Sequence, residues 1–362
     1  MPPRRIALLA VLLALAGAAG WLYYALFTPY RGYTGEGVFV EIPAGATGRT
    51  IAHTLAGHGV VRSAAAFELL YRWRAPGPLQ AGEYYFSRPM TALQVYRDLA
   101  EGRVYMRAVT IPEGLAMFEI AERVEREGLC RREEFLAAAR DPSPVRDLAP
   151  KARNLEGFLS PATYPFPRRA RAADVVATMV ARFRQVWDAL PAEGRNPRGL
   201  SVLELVTLAS LVEKETGRSD ERPVIAGVFY NRLQRGIALQ CDPTVIYALE
   251  LSGRYRGKLY ARDLRFNSPY NTYRYRGLPP GPIANPGEAA LRAALYPARV
   301  EYLYFVSNAE GGHHFSRTLR EHLKNVARYR RRLAELAQNS PGNGASPEPS
   351  PGRKRNPPGS RP

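Results

Sequence analysis

The first strong hydrophobic pattern is a stretch without charge or proline from residue 6 to residue 27. As an α-helix these 22 residues would span about 33 Å, enough to cross the roughly 30 Å hydrocarbon core of a bilayer. A cleaved signal peptide with a small-residue site at 16–18 is the alternative, but the apolar part of a signal peptide usually measures about 7–15 residues. The pattern therefore favours an uncleaved transmembrane helix over 6–27.

Two cations lie just before this stretch. Arg4 and Arg5 belong to a short stub, residues 1–5. Positive residues beside a spanning helix stay on the cytoplasmic side. We therefore expect a single-pass protein whose N-terminus is cytoplasmic and whose remaining chain lies on the other side of the membrane.

A strand–turn–helix–helix pattern occurs twice, at an offset of 69 residues. The sequence V-E-I-P-A-G at 40–45 recurs as V-T-I-P-E-G at 109–114. Each copy continues into an amphipathic helix that ends at a glycine, and then into a second helix at 64–74 or 132–140. The repeat is either one structural element used twice or a small glycan-binding module.

The rest of the chain alternates helical periodicity with loops rich in proline, glycine and aromatic residues. An S-x-x-E capping box, Ser201 and Glu204, opens the strongest helical pattern, and Gly217 ends it. The further predicted helices are 92–101, 172–187, 201–216, 221–234, 242–248 and 321–338; the predicted strands are 82–86, 237–240 and 302–306; the predicted loops are 154–165 and 259–287. This order predicts a mixed α+β fold. Residues 339–362, rich in Ser, Pro, Gly and Arg, are predicted to be a disordered tail.

Composition narrows the classes of function. The chain has 51 Lys and Arg against 33 Asp and Glu, a net charge of +18, which favours anionic partners. Export across a membrane argues against nucleic acid, so we expect an anionic polymer of the cell envelope. The two cysteines, Cys130 and Cys241, are too few for a disulfide scaffold or a Cys-rich zinc site, and we expect free thiols.

Two carboxylates at the end of the 201–216 helix are the best candidates for acid–base chemistry. The helix is apolar on nearly every face, which is typical of a buried helix, and its last turn carries Glu213 and Glu215. Burial and the negative end of the helix dipole both raise a carboxyl pKa, which produces a general acid near neutral pH. Periodicity does not distinguish which glutamate faces the interior, and a solvated helix end is the alternative.

Other polar residues have simpler interpretations. Asp242 is either a second catalytic carboxylate or, with Pro243 behind it, a helix N-cap, and the N-cap is favoured. His313, His314 and His322 match no zinc-ligand spacing, so we expect surface or supporting roles for them and no metal. The chain has no phosphate-loop or dinucleotide-binding glycine motif and no nucleophilic-serine motif, so we expect no cofactor.

Several motifs, taken in order, resemble the YceG-like family of endolytic murein transglycosylases. They are L-A-S-L-V-E-K-E-T at 208–216, V-F-Y-N-R-L at 228–233, L-Q-C-D-P-T-V-I-Y at 239–247, Y-N-T-Y at 270–273, G-L-P-P-G-P-I-A-N-P-G at 277–287, Y-L-Y-F-V at 302–306 and G-G-H at 311–313. The resemblance covers about residues 36–330. It implies an inner-membrane protein with a LysM-like module at 36–108 and a periplasmic catalytic domain at 109–336, in which 109–150 forms the second strand–helix–helix unit.

The resemblance also implies the chemistry. In this family the second glutamate of Glu-Lys-Glu is catalytic, and that position is Glu215. The expected reaction cuts the MurNAc-β-1,4-GlcNAc bond within peptidoglycan glycan strands, leaves a 1,6-anhydroMurNAc end, and terminates growing strands beside the cell-wall synthases. The residues expected to bind the sugar are Asn231, Gln240, Asp242, Thr244, Tyr270, Asn271 and Tyr273.

Two positions depart from the family pattern. Cys241 stands where a small hydroxyl residue is usual, and Leu323 lies in a stretch that is often more polar. Neither is expected to touch the acid. Two rival functions stay open: a lysozyme-type hydrolase that uses Glu215 and Asp242 as its carboxylate pair, and a non-catalytic peptidoglycan-binding scaffold.

Overall fold

The computed structural model describes residues 3–74, 77, 79–168, 170–191 and 199–338. The tail predicted to be disordered, 339–362, lies outside the described residues. The chain divides into two compact units, Met1–Asp188 and Ala189–Pro362.

The secondary structure confirms the predicted mixed α+β class. The first unit contains helices α1 (Pro3–Phe27), α2 (Gly48–Gly57), α3 (Ala64–Trp73), α4 (Ala92–Ala100), α5 (Met117–Arg126), α6 (Arg132–Ala139) and α7 (Ala172–Ala189), and strands β1 (Val38–Ile42), β2 (Gly82–Phe86), β3 (Met106–Ile111) and β4 (Ala162–Pro167). The second unit contains helices α8 (Val202–Glu215), α9 (Arg222–Gln234), α10 (Asp242–Leu251), α11 (Glu288–Leu295) and α12 (Leu319–Gln338), and strands β5 (Tyr304–Ser307) and β6 (His313–Ser316).

Helix α1 contains the long apolar stretch, as predicted for 6–27. It is long and apolar enough to cross a membrane. Its side chains are largely exposed between Ala7 and Tyr24, so the protein leaves most of this apolar surface uncovered. Near the end of the helix, Ala25 and Leu26 are buried in the core of the first unit. An exposed apolar helix that is fixed at one end suits a membrane anchor.

The first strand–helix–helix unit forms around an antiparallel strand pair. Strand β1 pairs with β2, and Val40 lies opposite Tyr84 with both side chains buried. Thr47 and Ser63 cap α2 and α3, because each side-chain oxygen accepts a hydrogen bond from the first turn of its helix. The two helices pack together over the strand pair and bury Leu55 among other apolar side chains.

The second strand–helix–helix unit confirms the predicted duplication. Elements β3, α5 and α6 follow the order of β1, α2 and α3. The matched positions Ile51 and Ile120, and likewise Leu55 and Val124, are buried in the two copies. The repeated apolar positions therefore form the buried side of the helices in each strand–helix–helix unit.

The prediction of a loop over 154–165 is wrong for its last residues, 162–165. Residues 162–167 form β4, which pairs antiparallel with β3. Alternating burial of Tyr164 and Phe166 holds the strand against the core. Pro165 and Pro167 concealed this alternation, because proline is common in loops and is tolerated in strands mainly at a sheet edge, which a two-stranded sheet provides.

In the second unit, α8 lies at the centre. It packs against α9, α10 and α11, and α12 packs on the β5–β6 hairpin. Among the described residues between α10 and α11, the chain is mostly irregular, with one short 3₁₀ turn at Asp263–Arg265, as predicted for 259–287. The strand predicted at 302–306 lies instead at Tyr304–Ser307 and is half-buried.

The short strand predicted at 237–240 is wrong. This segment is irregular, because the backbone carbonyls of Ala238 and Leu239 accept hydrogen bonds from the Arg232 guanidinium. Gln240 adopts a left-handed conformation with φ of 53°, which is incompatible with an extended strand.

The capping box at the start of α8 provides a test of this part of the fold. Ser201 Oγ accepts a hydrogen bond from the Glu204 backbone, and the Glu204 carboxylate accepts one from the Ser201 backbone. Ser201→Ala should destabilise the second unit by about 1 kcal/mol, or about 2–4 °C in Tm for a unit of this size. Ser201→Asn, which can still cap, should stay close to wild type in calorimetry. Equal losses in both variants would contradict the capping role.

Candidate active site

The last turn of α8 is locked by Glu213. Its Oε1 lies 2.8 Å from Nη2 of Arg222 at the start of α9, and both side chains are almost completely buried. Its Oε2 accepts a hydrogen bond of 2.9 Å from the Gly287 backbone N–H, which precedes α11. Glu213 therefore has a structural role, because it links the end of α8 to the starts of α9 and α11.

Glu215 faces a different environment. Two residues along an α-helix correspond to a rotation of about 200°, so Glu215 points away from the ion pair and into an open cleft of about 400 Å³. The residues lining this cleft are Glu215, Arg232, Leu239, Gln240, Asp242, Tyr273, Phe305, Val306, Ser307, His313, His322 and Val326. The helical geometry thus separates the two glutamates that periodicity left equivalent.

The surroundings of Glu215 favour its protonated form. Loss of water on burial raises the pKa of this carboxyl, and the negative charge of Asp242 raises it further. Interactions with Cys241, His313 and Arg232 oppose this increase without cancelling it. Glu215 therefore lines the cleft as a carboxyl whose pKa is raised.

Cys241 is a direct neighbour of this acid, so the expectation that it would not touch Glu215 is wrong. Interaction between the Cys241 thiol and the Glu215 carboxyl lowers the pKa of Glu215 and raises that of the thiol. Burial raises the pKa of the thiol well above its usual range, so it remains a donor. Both cysteines are free thiols, and this departure from the family pattern lies in contact with the candidate acid.

Two threonines hold the turn that carries Cys241. The Thr272 hydroxyl accepts a hydrogen bond of 3.0 Å from the Cys241 backbone N–H. The Thr244 hydroxyl donates one of 2.6 Å to the Cys241 carbonyl and lies 2.9 Å from the Thr272 hydroxyl. All of these groups are buried, so Thr244 has a place in the wall behind the cleft.

The N-cap predicted for Asp242 is wrong. Cys241 occupies the N-cap position, and Asp242 is the first residue of α10. Its Oδ1 accepts a hydrogen bond of 2.5 Å from the Tyr273 hydroxyl instead of capping the helix. Burial, together with this hydrogen bond to Asp242, raises the pKa of Tyr273. Asp242 and Tyr273 therefore face the cleft as a pair.

Gln240 lies at the mouth of the cleft in a strained conformation. Its left-handed backbone costs about 1–3 kcal/mol for a residue other than glycine, and such strain concentrates at functional sites. A hydrogen bond of 3.2 Å from its N–H to the Thr272 carbonyl holds it there. Its side chain is exposed to solvent and available to a ligand.

The structure brings Glu215, Gln240, Asp242 and Tyr273 together but does not place the other predicted site residues on the cleft. Those others are Asn231, Thr244, Tyr270 and Asn271. The Asn231 amide donates to two backbone carbonyls just before β5, and the buried Asn271 amide donates to two carbonyls of the preceding loop. The Tyr270 ring packs 5.0 Å from that of Tyr247. These residues support the walls of the site.

Three cationic or titratable residues on the cleft were missed as site residues. Arg232 is buried, and burial lowers the pKa of its guanidinium. Burial and the nearby Arg232 charge lower the pKa of His322, whose ring stacks 5.2 Å from that of Tyr304. His313 Nδ1 lies 2.7 Å from Glu221 Oε2. The motif G-G-H at 311–313 was the available signal for His313, but its partner lies 92 residues away in sequence.

Metal binding has no support in the described part of the chain. Across residues 3–338, apart from the undescribed gaps, no group of three His, Cys, Asp or Glu side chains is arranged to hold a metal ion. The cleft contains a carboxyl whose pKa is raised, a carboxylate–tyrosine pair and nearby basic groups.

Comparison with known proteins gives consistent matches. The sequence matches the YceG-like family over residues 40–328. It is 33% identical over 308 residues to an endolytic murein transglycosylase of Bacillus subtilis, covering 81% of this chain and 84% of that protein. It is 30% identical over 354 residues to proteins of the same name from two Streptococcus pneumoniae strains, covering 88% of this chain but 64% of theirs.

A solved structure also matches. The crystal structure of a YceG-like protein from Listeria monocytogenes is 35% identical, with a TM-score of 0.54, and the match covers 80% of this chain and 99% of that one. The sequence match over residues 40–328 includes the residues that line the cleft.

The raised pKa of Glu215 predicts a particular dependence of stability on pH. A carboxyl whose pKa is higher in the folded state stabilises the fold below its unfolded pKa, and this stabilisation is lost as the pH rises through the folded pKa. Glu215→Gln imitates the neutral form, so its Tm should exceed that of wild type at alkaline pH and approach it in mild acid. Thermal unfolding at several pH values measures this.

Glu213→Gln is the matched control. It removes one charge of a buried ion pair, which typically costs about 3–5 kcal/mol, so it should lower the Tm at every pH tested above the ordinary carboxyl range. If Glu215→Gln behaved like Glu213→Gln, the proposed environment of Glu215 would be wrong.

Proposed function

The chain belongs to the YceG-like family, and we propose that it is an endolytic lytic transglycosylase that cuts peptidoglycan glycan strands with Glu215 as its acid. The observation that carries this proposal is the position of the Glu215 carboxyl in the cleft beside Asp242, where burial raises its pKa, together with relatives named for this activity. The bond cut is the MurNAc-β-1,4-GlcNAc linkage, and the product ends in 1,6-anhydroMurNAc. No cofactor takes part in this proposal.

The first half of the reaction needs a proton donor. Glu215 gives its proton to the glycosidic oxygen, the C1–O bond breaks, and an oxocarbenium-like state develops on the MurNAc ring. The negative charge of Asp242, which raises the pKa of Glu215, would also stabilise this positive state.

The second half closes the sugar on itself. The C6 hydroxyl oxygen attacks C1, its proton is accepted by a base, and the anhydro bridge forms without water. The carboxylate that Glu215 becomes after the first half accepts this proton, so the same residue serves in both halves. This differs from hydrolysis, where a second carboxylate activates water or attacks C1.

The exposed polar groups of the cleft are the proposed sugar contacts. Gln240 and the Tyr273–Asp242 pair line it directly and offer amide, hydroxyl and carboxylate groups for the N-acetyl and hydroxyl groups of a glycan. Asn231, Thr244, Tyr270 and Asn271 support the walls behind these groups. We propose that they affect sugar binding indirectly, by holding the residues that line the cleft in place. The net charge of +18 suits the carboxylates of peptide stems.

The anchor defines the proposed location. Helix α1, with Arg4 and Arg5 before it, supports a single-pass protein of the inner membrane with a cytoplasmic N-terminus and a periplasmic catalytic region. There the enzyme would meet nascent strands beside the cell-wall synthases and terminate their elongation. Residues 36–108 would act as a LysM-like module and 109–336 as the catalytic domain.

The central mutational prediction concerns product formation. Glu215→Gln preserves size but cannot donate a proton, and loss of acid–base help alone costs typically 10²–10⁴-fold. It should abolish anhydro-ended fragments while glycan binding persists. Mass spectrometry of digested glycan strands, with pull-down on insoluble peptidoglycan, measures both. Full activity of Glu215→Gln would contradict the assignment, and wild-type binding without any cleavage would favour a scaffold.

Asp242→Asn separates this mechanism from a two-carboxylate hydrolase. Asparagine still accepts the Tyr273 hydrogen bond but removes the charge that raises the pKa of Glu215. Activity requires protonated Glu215 and is lost as the pH rises through its pKa, so this loss should move to lower pH in the variant. Complete inactivity, with wild-type products that end in reducing MurNAc, would support the hydrolase.

The proposed orientation of the protein in the membrane can be tested by protease accessibility. Protease added to spheroplasts that contain the full chain should degrade the bulk of the protein and leave a small N-terminal fragment in the membrane. A cytoplasmic marker protein, left intact, verifies that the membrane is sealed. Protection of the catalytic region would contradict the proposed orientation.

A further inference from the structure

Arg232 carries a positive charge that is buried beside the cleft without an opposite charge to pair with it. The residue lies on α9, is 8% exposed and lines the cleft. Within the described part of the chain, no Asp or Glu forms an ion pair with its guanidinium. Buried charges in proteins are normally paired, because removing a charge from water is costly. The position of Arg232 therefore calls for an anion from outside the chain.

Three backbone carbonyls fix the orientation of the guanidinium. Nε donates a hydrogen bond of 2.6 Å to the Leu303 carbonyl. Nη1 donates to the carbonyls of Ala238 and Leu239 at 3.1 and 2.7 Å. Below the group, Cζ lies 5.1 Å from the centre of the Tyr304 ring. Because a guanidinium is planar and rigid, these contacts fix the position of the remaining nitrogen, Nη2, as well.

Nη2 is the free side of this group. No described residue accepts a hydrogen bond from it, and it does not belong to the fully buried side-chain nitrogens that lack a partner, so solvent reaches it. The carbonyls on the other two nitrogens are neutral acceptors, which satisfy hydrogen bonds but leave the charge unbalanced. Since Arg232 lines the cleft, Nη2 is available to a ligand that carries an acceptor.

A second polar group with unmet hydrogen-bonding capacity borders the same side of the cleft. His322 lines the cleft from α12, and its Nδ1 is buried without a hydrogen-bond partner. Its ring stacks 5.2 Å from that of Tyr304, the same ring that the Arg232 guanidinium faces. Buried polar atoms in native proteins are nearly always hydrogen-bonded. The side of the cleft formed by Arg232, Tyr304 and His322 is therefore polar and under-satisfied.

The two carboxyl groups of the cleft do not neutralise Arg232. Asp242 accepts the hydrogen bond of the Tyr273 hydroxyl. Glu215 attracts the guanidinium electrostatically but forms neither a hydrogen bond nor an ion pair with it. Moreover, Glu215 is uncharged at the moment when it is ready to donate a proton. In that state, an anion brought by the substrate would be the counter-charge of Arg232.

We propose that Arg232 Nη2 binds a carboxylate of the peptide stem on the MurNAc residue whose bond is cut. This inference rests on the proposed function and adds a specificity-determining residue to it. Hydrogen bonds between arginine and a carboxylate are among the strong ones, because both groups are charged. A neutral acceptor such as an N-acetyl carbonyl would use the hydrogen bond but leave the charge unbalanced. The protein should therefore prefer glycan strands whose stems carry free carboxylates.

Amidated strands test this inference without a change at Arg232. Soluble, uncrosslinked glycan strands with peptide stems are compared with the same strands after their carboxylates have been coupled to methylamine. The full chain carrying Glu215→Gln should bind both without cutting them, so titration calorimetry gives a Kd for each. The loss of a hydrogen bond to a charged group should weaken binding of the amidated strands about 10–100-fold. Equal Kd values would overturn the proposal, because amidation leaves the N-acetyl groups unchanged.

Substitution of Arg232 assigns the effect to this residue. In the Glu215→Gln chain, Arg232→Gln should bind native strands about as weakly as amidated ones. Arg232→Lys keeps the charge without the planar donors, so its ratio of the two Kd values should be intermediate; circular dichroism verifies that each variant folds. Arg235→Gln, which removes an exposed charge at the end of the same helix, should keep the full ratio.

Two other results have distinct meanings. A folded Arg232 variant with the same Kd ratio as Arg235→Gln would overturn the proposal, because the preference for carboxylates would then come from other basic groups. Absence of binding to either kind of strand, with Arg232 intact, would instead contradict the proposed function.

Discussion

The buried ion pair between Glu213 and Arg222 is the contact on which the arrangement of the cleft depends. It joins the end of α8 to the start of α9, and the same carboxylate also accepts a hydrogen bond from the N–H before α11. Breaking a buried ion pair is costly, so these contacts fix the orientation of the last turn of α8 about the helix axis. Helical geometry then directs Glu215, two residues later, into the cleft, where loss of water raises the pKa of its carboxyl.

The opposite side of the site depends on a turn held under strain. Gln240 is left-handed, and two buried threonine hydroxyls hold the Cys241 backbone that follows it. As a result, the Cys241 thiol and the Asp242 charge both lie beside Glu215 and act on its pKa in opposite directions. A general acid works best when its pKa lies close to the working pH. Opposing effects of the Asp242 charge and the Cys241 thiol provide a way to adjust the pKa of Glu215.

Short-range sequence patterns predicted the elements that depend mainly on interactions between residues close in sequence. Periodicity and capping residues located most helices and the duplicated unit, and the motif around Glu215 identified the candidate acid through family resemblance. Prolines concealed β4, and the side-chain contacts of Arg232 replaced the strand expected at 237–240. The side-chain contacts of Asp242 and His313 are with Tyr273 and Glu221, which lie 31 and 92 residues away in sequence, and such distant pairs leave no periodic signal.

If Glu215 holds its proton at a pH where an ordinary glutamate has lost it, infrared spectroscopy can observe that proton directly. A difference spectrum between wild type and Glu215→Gln, recorded with ¹³C-labelled glutamate across a pH series, isolates the carboxyl of this residue. We expect a protonated C=O stretch that persists above the ordinary pH range of carboxyl titration and then converts to carboxylate bands. A difference spectrum with only carboxylate bands from mild acid upward would contradict it.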